Sequence, residues 1–518
     1  MYFNLFDLTN PLTLLLSIVA ALAVLALIIY LIVFLVKPSA GRDAFRMGVP
    51  LNLLARRKKK NHLFLGMSPY SKRLAAQILD EWKKEKKKKD HGSILFIDLN
   101  PSFNKTVEHD LQAELDSGRI TVLNGNLIKT EGTSLARSID LAGLKPWLAN
   151  PRTNLYLFSE KKEENAALLS LATNDTSIKA KVFFYASSPT GLDALIASTG
   201  RRVRLLNPHQ MAFMHVKLSR PELLPVHYVK KALDADGKPL GYVQDGLHAW
   251  VIGFGHTGQE AFRFLYEFGS FVGKDYKRAP MSIDVFDPQV HSCVGAFLES
   301  LPAAKGDNAF RWNSAGPGMA QFWEAFEKDT QVDYLVVAVD EGPRNIEIGI
   351  ALLQNAVRSG KDVSRMVILI HDASDNRKYR EVLEIYNAAY CPEGTRILHS
   401  FGHAGEIWNS DVLSGRKLKK AAMAYNAEQA ELGLDEPWEE RKKRLAKADS
   451  HSLKNQMELR RRQALDISHA LYAPTLLALT PEGKEDGPHN RYLQAQEELH
   501  RNLVCDVLGY TSIFPEKK

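Results

Sequence analysis

The sequence predicts an α/β protein made of two tandem doubly wound units, with one apolar helix ahead of them and an α-helical region behind. Three observations carry that expectation. The apolar run Trp250-Val251-Ile252 ends in Gly253-Phe254-Gly255-His256-Thr257-Gly258 and passes into a helical pattern of Ala261, Phe262, Phe264, Leu265 and Phe268. That order is the strand, tight turn and helix of a dinucleotide-binding unit. Short apolar runs alternate with helical segments twice over, at 62–66, 94–98, 120–123, 154–158, 182–185 and 203–206, then at 249–252, 283–287, 310–312, 334–339, 366–370 and 397–401. Strands alternating with helices form parallel sheets. Residues 12–36 contain no charged side chain.

The apolar run comes first in the chain. As a helix, residues 12–36 extend about 37 Å, enough to span a bilayer with some tilt. A cleaved leader needs a basic start and a shorter core, and residues 1–10 contain no Lys or Arg. Lys37, Arg42 and Arg46 follow the run, while Asp7 is the only charged side chain before it. The positive-inside rule then predicts a single-pass inner-membrane protein with its N-terminus outside and the bulk of the chain cytoplasmic. Residues 1–37 are read as the anchor and 38–60 as a basic juxtamembrane linker.

The charge is concentrated there. The net charge is +7, but Arg56, Arg57, Lys58, Lys59 and Lys60, with the lysine-rich stretch 83–89, outweigh it, leaving the remainder roughly neutral or slightly acidic. This distribution argues against a nucleic-acid partner. The 56–60 cluster suits anionic lipid headgroups, at about 1 kcal/mol per residue near the surface, and serves equally as a topology signal. Cys293, Cys391 and Cys505 are the three cysteines; far apart and odd in number, they give neither a disulfide framework nor a zinc spacing and fit a reducing compartment.

The first Rossmann-like domain is expected over 61–217 and the second over 248–408, joined by a linker at 218–247 that contains Pro221, Pro225 and Pro239. In the second, Gly253 permits the turn, Gly255 lets backbone approach a pyrophosphate, and Gly258 lets helix and strand pack closely. The helix N-terminus offers free N–H groups to phosphates. Asp287 ends the next strand, where an acid holds ribose hydroxyls, while Asp284 faces the other way by strand alternation. The candidate nucleotide site is therefore Gly253, Phe254, Gly255, His256, Thr257, Gly258 and Asp287, for NAD or a related nucleotide. Asp287 favours NAD over NADP by repelling a 2′-phosphate, although Lys274 or Lys277 in an inserted loop could offset this.

The first domain departs from that pattern. Its turn reads Gly66-Met67-Ser68-Pro69-Tyr70-Ser71, with serines in place of the second and third glycines. Ser68 places a Cβ at the closest phosphate approach, which predicts a structural copy with a different ligand or none.

Tandem units of this order, with Val251-Ile252-Gly253-Phe254-Gly255-His256-Thr257-Gly258-Gln259-Glu260 in the second, resemble RCK domains, the Trk-type NAD-binding modules that regulate potassium channels and transporters. The resemblance covers roughly residues 61–405. It implies a nucleotide seated over the glycine turn that shifts an assembly between conformations, with no reaction catalysed. Gly253, Gly255, Gly258 and Asp287 match nucleotide-contacting positions in the second copy, and Gly66 and Asp98 match in the first. A potassium pore needs a helix pair and a carbonyl-lined filter; with one apolar helix and no such string, a pore would need helices from several chains, which points to a homo-oligomer.

Residues 409–518 read as helices at 418–432, 439–448, 453–471 and 493–502, with Gly509 as a C-cap and Arg460-Arg461-Arg462 as a solvated face. The tail is similar to bacterial proteins that join a Trk-type unit to a ryanodine-receptor-type (RyR) repeat. Glu498, Arg501, Gly509 and Tyr510 keep that pattern, and Leu499 and Asn502 depart from it.

No Tyr-x-x-x-Lys pair or catalytic zinc spacing is present. His256 and His371 could face a cofactor, but no catalytic or metal-binding residue is assigned. The expected function is a membrane-anchored nucleotide sensor that controls ion transport or acts as an effector in bacterial defence signalling. The alternatives are a membrane-bound NAD(P)-dependent oxidoreductase and a Rossmann scaffold without ligand.

Overall fold

The computed structural model describes residues 24–25, 60–84, 92–98, 120–124, 147–159, 165, 168–169, 177–186 and 203–508, the last range without 340–341, 375, 393, 409–411, 414, 434, 450–452 and 481–487. The apolar run at 12–36, apart from residues 24–25, lies outside the described residues, as do the 56–59 cluster, Gly509 and Tyr510. Among the described residues no helix is long and apolar enough to cross a membrane. The chain divides into two compact units, 1–185 with 202–205, and 186–201 with 206–518.

The first unit is built on β1 (Asn61–Leu65), α1 (Pro69–Lys84), β2 (Ile94–Asp98), β3 (Ile120–Asn124), β4 (Thr153–Leu157), β5 (Lys181–Tyr185) and β6 (Val203–Leu206). Its six-stranded sheet has the order β3-β2-β1-β4-β5-β6, the doubly wound order that reverses between β1 and β4. Strands covered on both faces are continuous apolar runs rather than alternating ones, and β1 and β4 are buried along their whole length. Phe64 pairs in register with Phe96 and with Tyr156, and Tyr156 with Phe183. Their rings stack at 4.5, 4.5 and 4.9 Å, an aromatic ladder across four strands. His62 lies inside this core with Nδ1 3.1 Å from the Tyr156 hydroxyl, and burial lowers its pKa to about 3.

The second unit repeats the topology with β9 (His248–Ile252), β10 (Ser282–Phe286), β11 (Phe310–Asn313), β12 (Tyr334–Val337), β13 (Val367–His371) and β14 (Leu398–Phe401). Its order is β11-β10-β9-β12-β13-β14, every neighbouring pair parallel. Between the strands run α3 (His256–Phe268), α4 (Val290–Ser300), α5 (Ala320–Lys328), α6 (Pro343–Arg358) and α7 (Arg377–Tyr390). Trp250, Ile252, Leu335, Val337, Ile368 and Ile370 face Leu352, Leu353 and Leu383 in one buried cluster.

The expected domain boundary shifts. The first domain was expected to continue to residue 217, but α2 (Pro208–Ser219) belongs to the second unit. The reason is its apolar face: Phe213 packs on Phe264 of α3 at 5.3 Å and on Phe401 of β14 at 4.9 Å. The segment expected as a linker is folded as two 3-10 turns and the hairpin β7 (Lys231–Leu233) and β8 (Pro239–Val243). Tyr334 donates its hydroxyl to the Leu223 carbonyl at 2.6 Å, tying this strap to the second sheet.

After the short helix α8 (Ala404–Ile407), the C-terminal helical region also packs within the second unit, as α9 (Arg416–Glu431), α10 (Trp438–Asp449), α11 (Leu453–Leu479) and α12 (Pro488–Val507). Arg460, Arg461 and Arg462 are not the expected solvated face, because α11 lies between neighbouring helices. All three are half-buried, and Arg462 pairs with Asp435 and with Asp466.

Candidate functional site

The glycine turn of the second unit follows β9 at the C-terminal edge of the sheet, and its three glycines differ physically. Gly253 has φ +89°, and a Cβ there would stand 2.5 Å from the Ala338 carbonyl oxygen. A Cβ on Gly258 would stand 1.9 Å from the Gly253 carbonyl oxygen, the close helix-to-strand approach that the motif requires. Gly255 has ordinary extended backbone, φ −65° and ψ −168°, and a Cβ would meet nothing within 4 Å. Gly253 and Gly258 therefore shape the turn, and Gly255 leaves open space in front of α3.

Gly255, the N-cap residue of α3, has no side chain with which to cap the first turn. At α6, the N-cap residue Gly342, at φ +65°, likewise supplies no side-chain cap. These helices follow β9 and β12, the adjacent strands at which the order reverses, where doubly wound sheets bind ligands. The N–H groups at the N-termini of such helices attract anions.

The structure brings the remaining candidates to the same turn. Asp287 follows β10; its Oδ2 accepts the Phe254 N–H at 2.7 Å and its Oδ1 accepts the Gln289 N–H at 2.7 Å. The acid expected to meet ribose thus also fixes the turn, with lone pairs remaining on both oxygens. Phe254 contributes its backbone, since its ring is buried against Phe297 at 5.0 Å and Trp312 at 5.3 Å. His256 is exposed and Thr257 is buried. Asp284 faces away, its carboxylate forked by the Arg311 guanidinium. Lys274 and Lys277 lie in the loop after the C-terminal end of α3, about 18 Å of helix from the glycine turn. They cannot offset Asp287 at a 2′-phosphate.

Sequence reasoning missed His209. It sits in the first turn of α2, behind the N-cap Asn207 and Pro208, and its Nδ1 is 2.7 Å from the Thr257 hydroxyl. Its ring lies 5.5 Å from that of His256. Burial, then the charges of His371 and His256, lowers the His209 pKa to about 3. Burial likewise lowers His371, at the end of β13, to about 4. Both are neutral imidazoles at physiological pH. The Asn-Pro pair opening α2 was the available signal for this helix.

Asn345 was missed as well. Its Oδ1 accepts the Val339 N–H at 3.0 Å and its Nδ2 donates to the His371 carbonyl at 2.9 Å, joining the ends of β12 and β13. The first unit has a counterpart eight residues after the end of β4. Asn165 accepts the Ser159 N–H at 2.7 Å and donates to the Ser159 carbonyl at 2.6 Å.

The equivalent turn of the first unit is closed by its own side chains. Gly66 has φ +98°, matching Gly253. Ser71 Oγ accepts the Ser68 N–H at 2.7 Å, and Ser68 Oγ accepts the Ser71 N–H at 3.2 Å. Ser71 Oγ also donates to the Ser68 carbonyl at 2.9 Å. Both serines are buried. The side-chain capping that Gly255 cannot give α3 is supplied here by a reciprocal serine pair.

At the opposite edge of the second sheet, His248, Asp284 and Asp329 bring ligand-type atoms within 4.8 Å of one another. Their valences are used by protein. His248 Nε2 is 2.7 Å from Asp329 Oδ2, Ser282 Oγ is 2.6 Å from His248 Nδ1, and the Trp250 indole donates to Asp329 at 2.8 Å. With Arg311 on Asp284, the group is a hydrogen-bonded ion network that ties β9 and β10 to the end of α5.

No protein-family model matches the chain, and no curated protein is detectably similar to it.

Proposed function

We propose that this protein is a membrane-anchored, cytoplasmic nucleotide sensor of RCK or Trk type, whose second Rossmann-like unit binds NAD or a related nucleotide. The observation that carries the reading is the turn at Gly255, where a helix N-terminus with no N-cap side chain and open space at the Gly255 Cβ position stands beside Asp287 at the switch point. A pyrophosphate suits that position, because N–H groups and the helix dipole meet its charge while ribose hydroxyls reach Asp287. Binding does regulatory work through different affinities for two arrangements of the protein. The output is ion transport or a membrane effector response in bacterial defence signalling. Apolar helices at residues 12–36 of several chains are brought together in a homo-oligomer, and residues 56–60 contact anionic lipid.

An NAD(P)-dependent oxidoreductase is the second reading, favoured by one observation. His209, His256 and His371 lie around the turn and place imidazole groups beside the position of a bound cofactor.

Calorimetric titration of the full chain in detergent with NAD, NADH, ATP and cyclic nucleotides tests both. Saturable binding without turnover supports the sensor. Consumption of NAD or NADH supports the oxidoreductase, and absence of binding by every nucleotide leaves a scaffold.

A further inference from the structure

Helix α3 has two functional ends. Its N-terminal end carries the glycine turn, and its C-terminal end, eleven residues after His256, carries Glu267, a carboxylate only 2% exposed. Three elements converge on that carboxylate. Lys217 of α2 places Nζ 2.7 Å from Oε2, His500 of α12 places Nε2 3.3 Å from Oε1, and Ser468 of α11 donates its hydroxyl to Oε1. A buried carboxylate is tolerable only with such partners.

The partners are themselves fixed. The His500 ring stacks on Tyr472 at 3.7 Å, and its Nδ1 lies 3.1 Å from His469 Nδ1. Gln496, one turn before His500, accepts the Val272 N–H at 2.8 Å and donates to the Ser270 carbonyl at 3.0 Å and to the Tyr472 hydroxyl at 2.8 Å. The C-terminal helices thus hold both the last turn of α3 and the loop that leaves it. At the other end, His209 of α2 meets Thr257 in the first turn of α3. Helix α2 therefore touches α3 at the glycine turn through His209 and at the clasp through Lys217.

We propose that α11 and α12 regulate the nucleotide site through α3, with Glu267, Lys217, Ser468 and His500 as the latch and nucleotide occupancy and latch closure stabilising one another. The proposal rests on the nucleotide reading given above. Coupling of this kind is reciprocal: the factor by which an open latch weakens nucleotide binding equals the factor by which nucleotide tightens docking of the C-terminal helices. A helix transmits such a bias because its hydrogen-bonded backbone moves as a unit.

The test uses the full chain in detergent, NAD as the probe, and the variants His500→Gln and Glu267→Gln. His500→Gln should weaken NAD binding at least about fivefold, the lower range of allosteric coupling. Saturating NAD should slow hydrogen exchange in residues 488–507 of the wild type but not of Gly255→Val. Folded His500→Gln and Glu267→Gln proteins with wild-type NAD affinity would overturn the proposal, as would exchange in 488–507 that ignores saturating NAD. A ligand-free readout separates the two claims. If the wild type binds no NAD, yet His500→Gln accelerates exchange in the first turn of α3 at 256–260, the latch stands and the nucleotide reading falls. If His500→Gln leaves 256–260 unchanged without ligand, the latch itself is refuted.

Discussion

The two Rossmann-like units share strand order, a left-handed glycine after the first strand and an asparagine that fastens the end of the fourth, yet they differ at one turn. In the second unit Gly255 leaves the α3 N-terminus open, whereas in the first Ser68 and Ser71 satisfy each other across the α1 N-terminus. A phosphate arriving at the first turn must displace the hydrogen bonds of the Ser68–Ser71 pair; at the second no such pair stands in its way. The comparison teaches that a topology can be duplicated while the donors that serve a ligand are retained in one copy only. It also shows where stability resides, because the serine pair caps its helix while Gly255 has no side chain to cap α3.

The largest expected effect comes from the third glycine position. Gly258→Ala forces a Cβ against the Gly253 carbonyl and should destabilise the second unit by about 3 kcal/mol or more, whereas Ser71→Ala in the first should cost about 1 kcal/mol, as loss of a cap does. Chemical denaturation followed by unit-resolved hydrogen exchange measures both. Next is Gly255→Val, whose side chain enters open space. It should keep the thermal midpoint within about 2 °C while reducing nucleotide affinity at least 100-fold, roughly 2.7 kcal/mol. Equal losses of stability and affinity would make Gly255 a folding residue instead.

The units should also separate by pH. Burial lowers His62 of the first unit to about 3, and in the second it lowers His209 and His469 to about 3 and His371 and His399 to about 4. These folded-state values lie below the unfolded value near 6.5. Below that value the unfolded chain takes up protons that the folded chain refuses, so stability present above pH 6.5 is lost as pH falls toward 4. With more such histidines among the described residues, the second unit should lose stability more steeply between pH 6.5 and 4. Exchange rates for each unit at pH 6.5, 5.5 and 4.5, corrected for intrinsic exchange, give the two slopes. The smallest effect is Ser68→Ala, which should cost the first unit about 1 kcal/mol and leave nucleotide affinity of the full chain unchanged.

Much of this contrast was legible in the sequence. Apolar runs bounded by polar turns marked all twelve strands of the two large sheets to within a residue or two, because strands buried on both faces can carry little else. The glycine spacing located the turn, and the serines at 68 and 71 marked its altered copy. What the sequence left hidden depended on contacts distant along the chain. Residues 208–217 were assigned to the first domain because the apolar face of α2 gives no indication of which sheet it covers; Phe213 finds Phe264 and Phe401 only in the folded chain. The triple-arginine stretch suggested solvent, since the acids that pair with Arg462 include Asp435, far away in sequence. Glu267 and His500 gave no signal at all, being separated by more than two hundred residues until α3 and α12 pack together.

The central claim is that one of the two turns is open and the other is closed by its own side chains. Calorimetric stoichiometry with NAD on the full chain, the Gly255→Val variant and the Ser68→Ala variant tests it most directly. One nucleotide per chain, lost in Gly255→Val and retained in Ser68→Ala, is the predicted result. Two nucleotides per chain, or a single site that survives Gly255→Val but responds to Ser68→Ala, would contradict it.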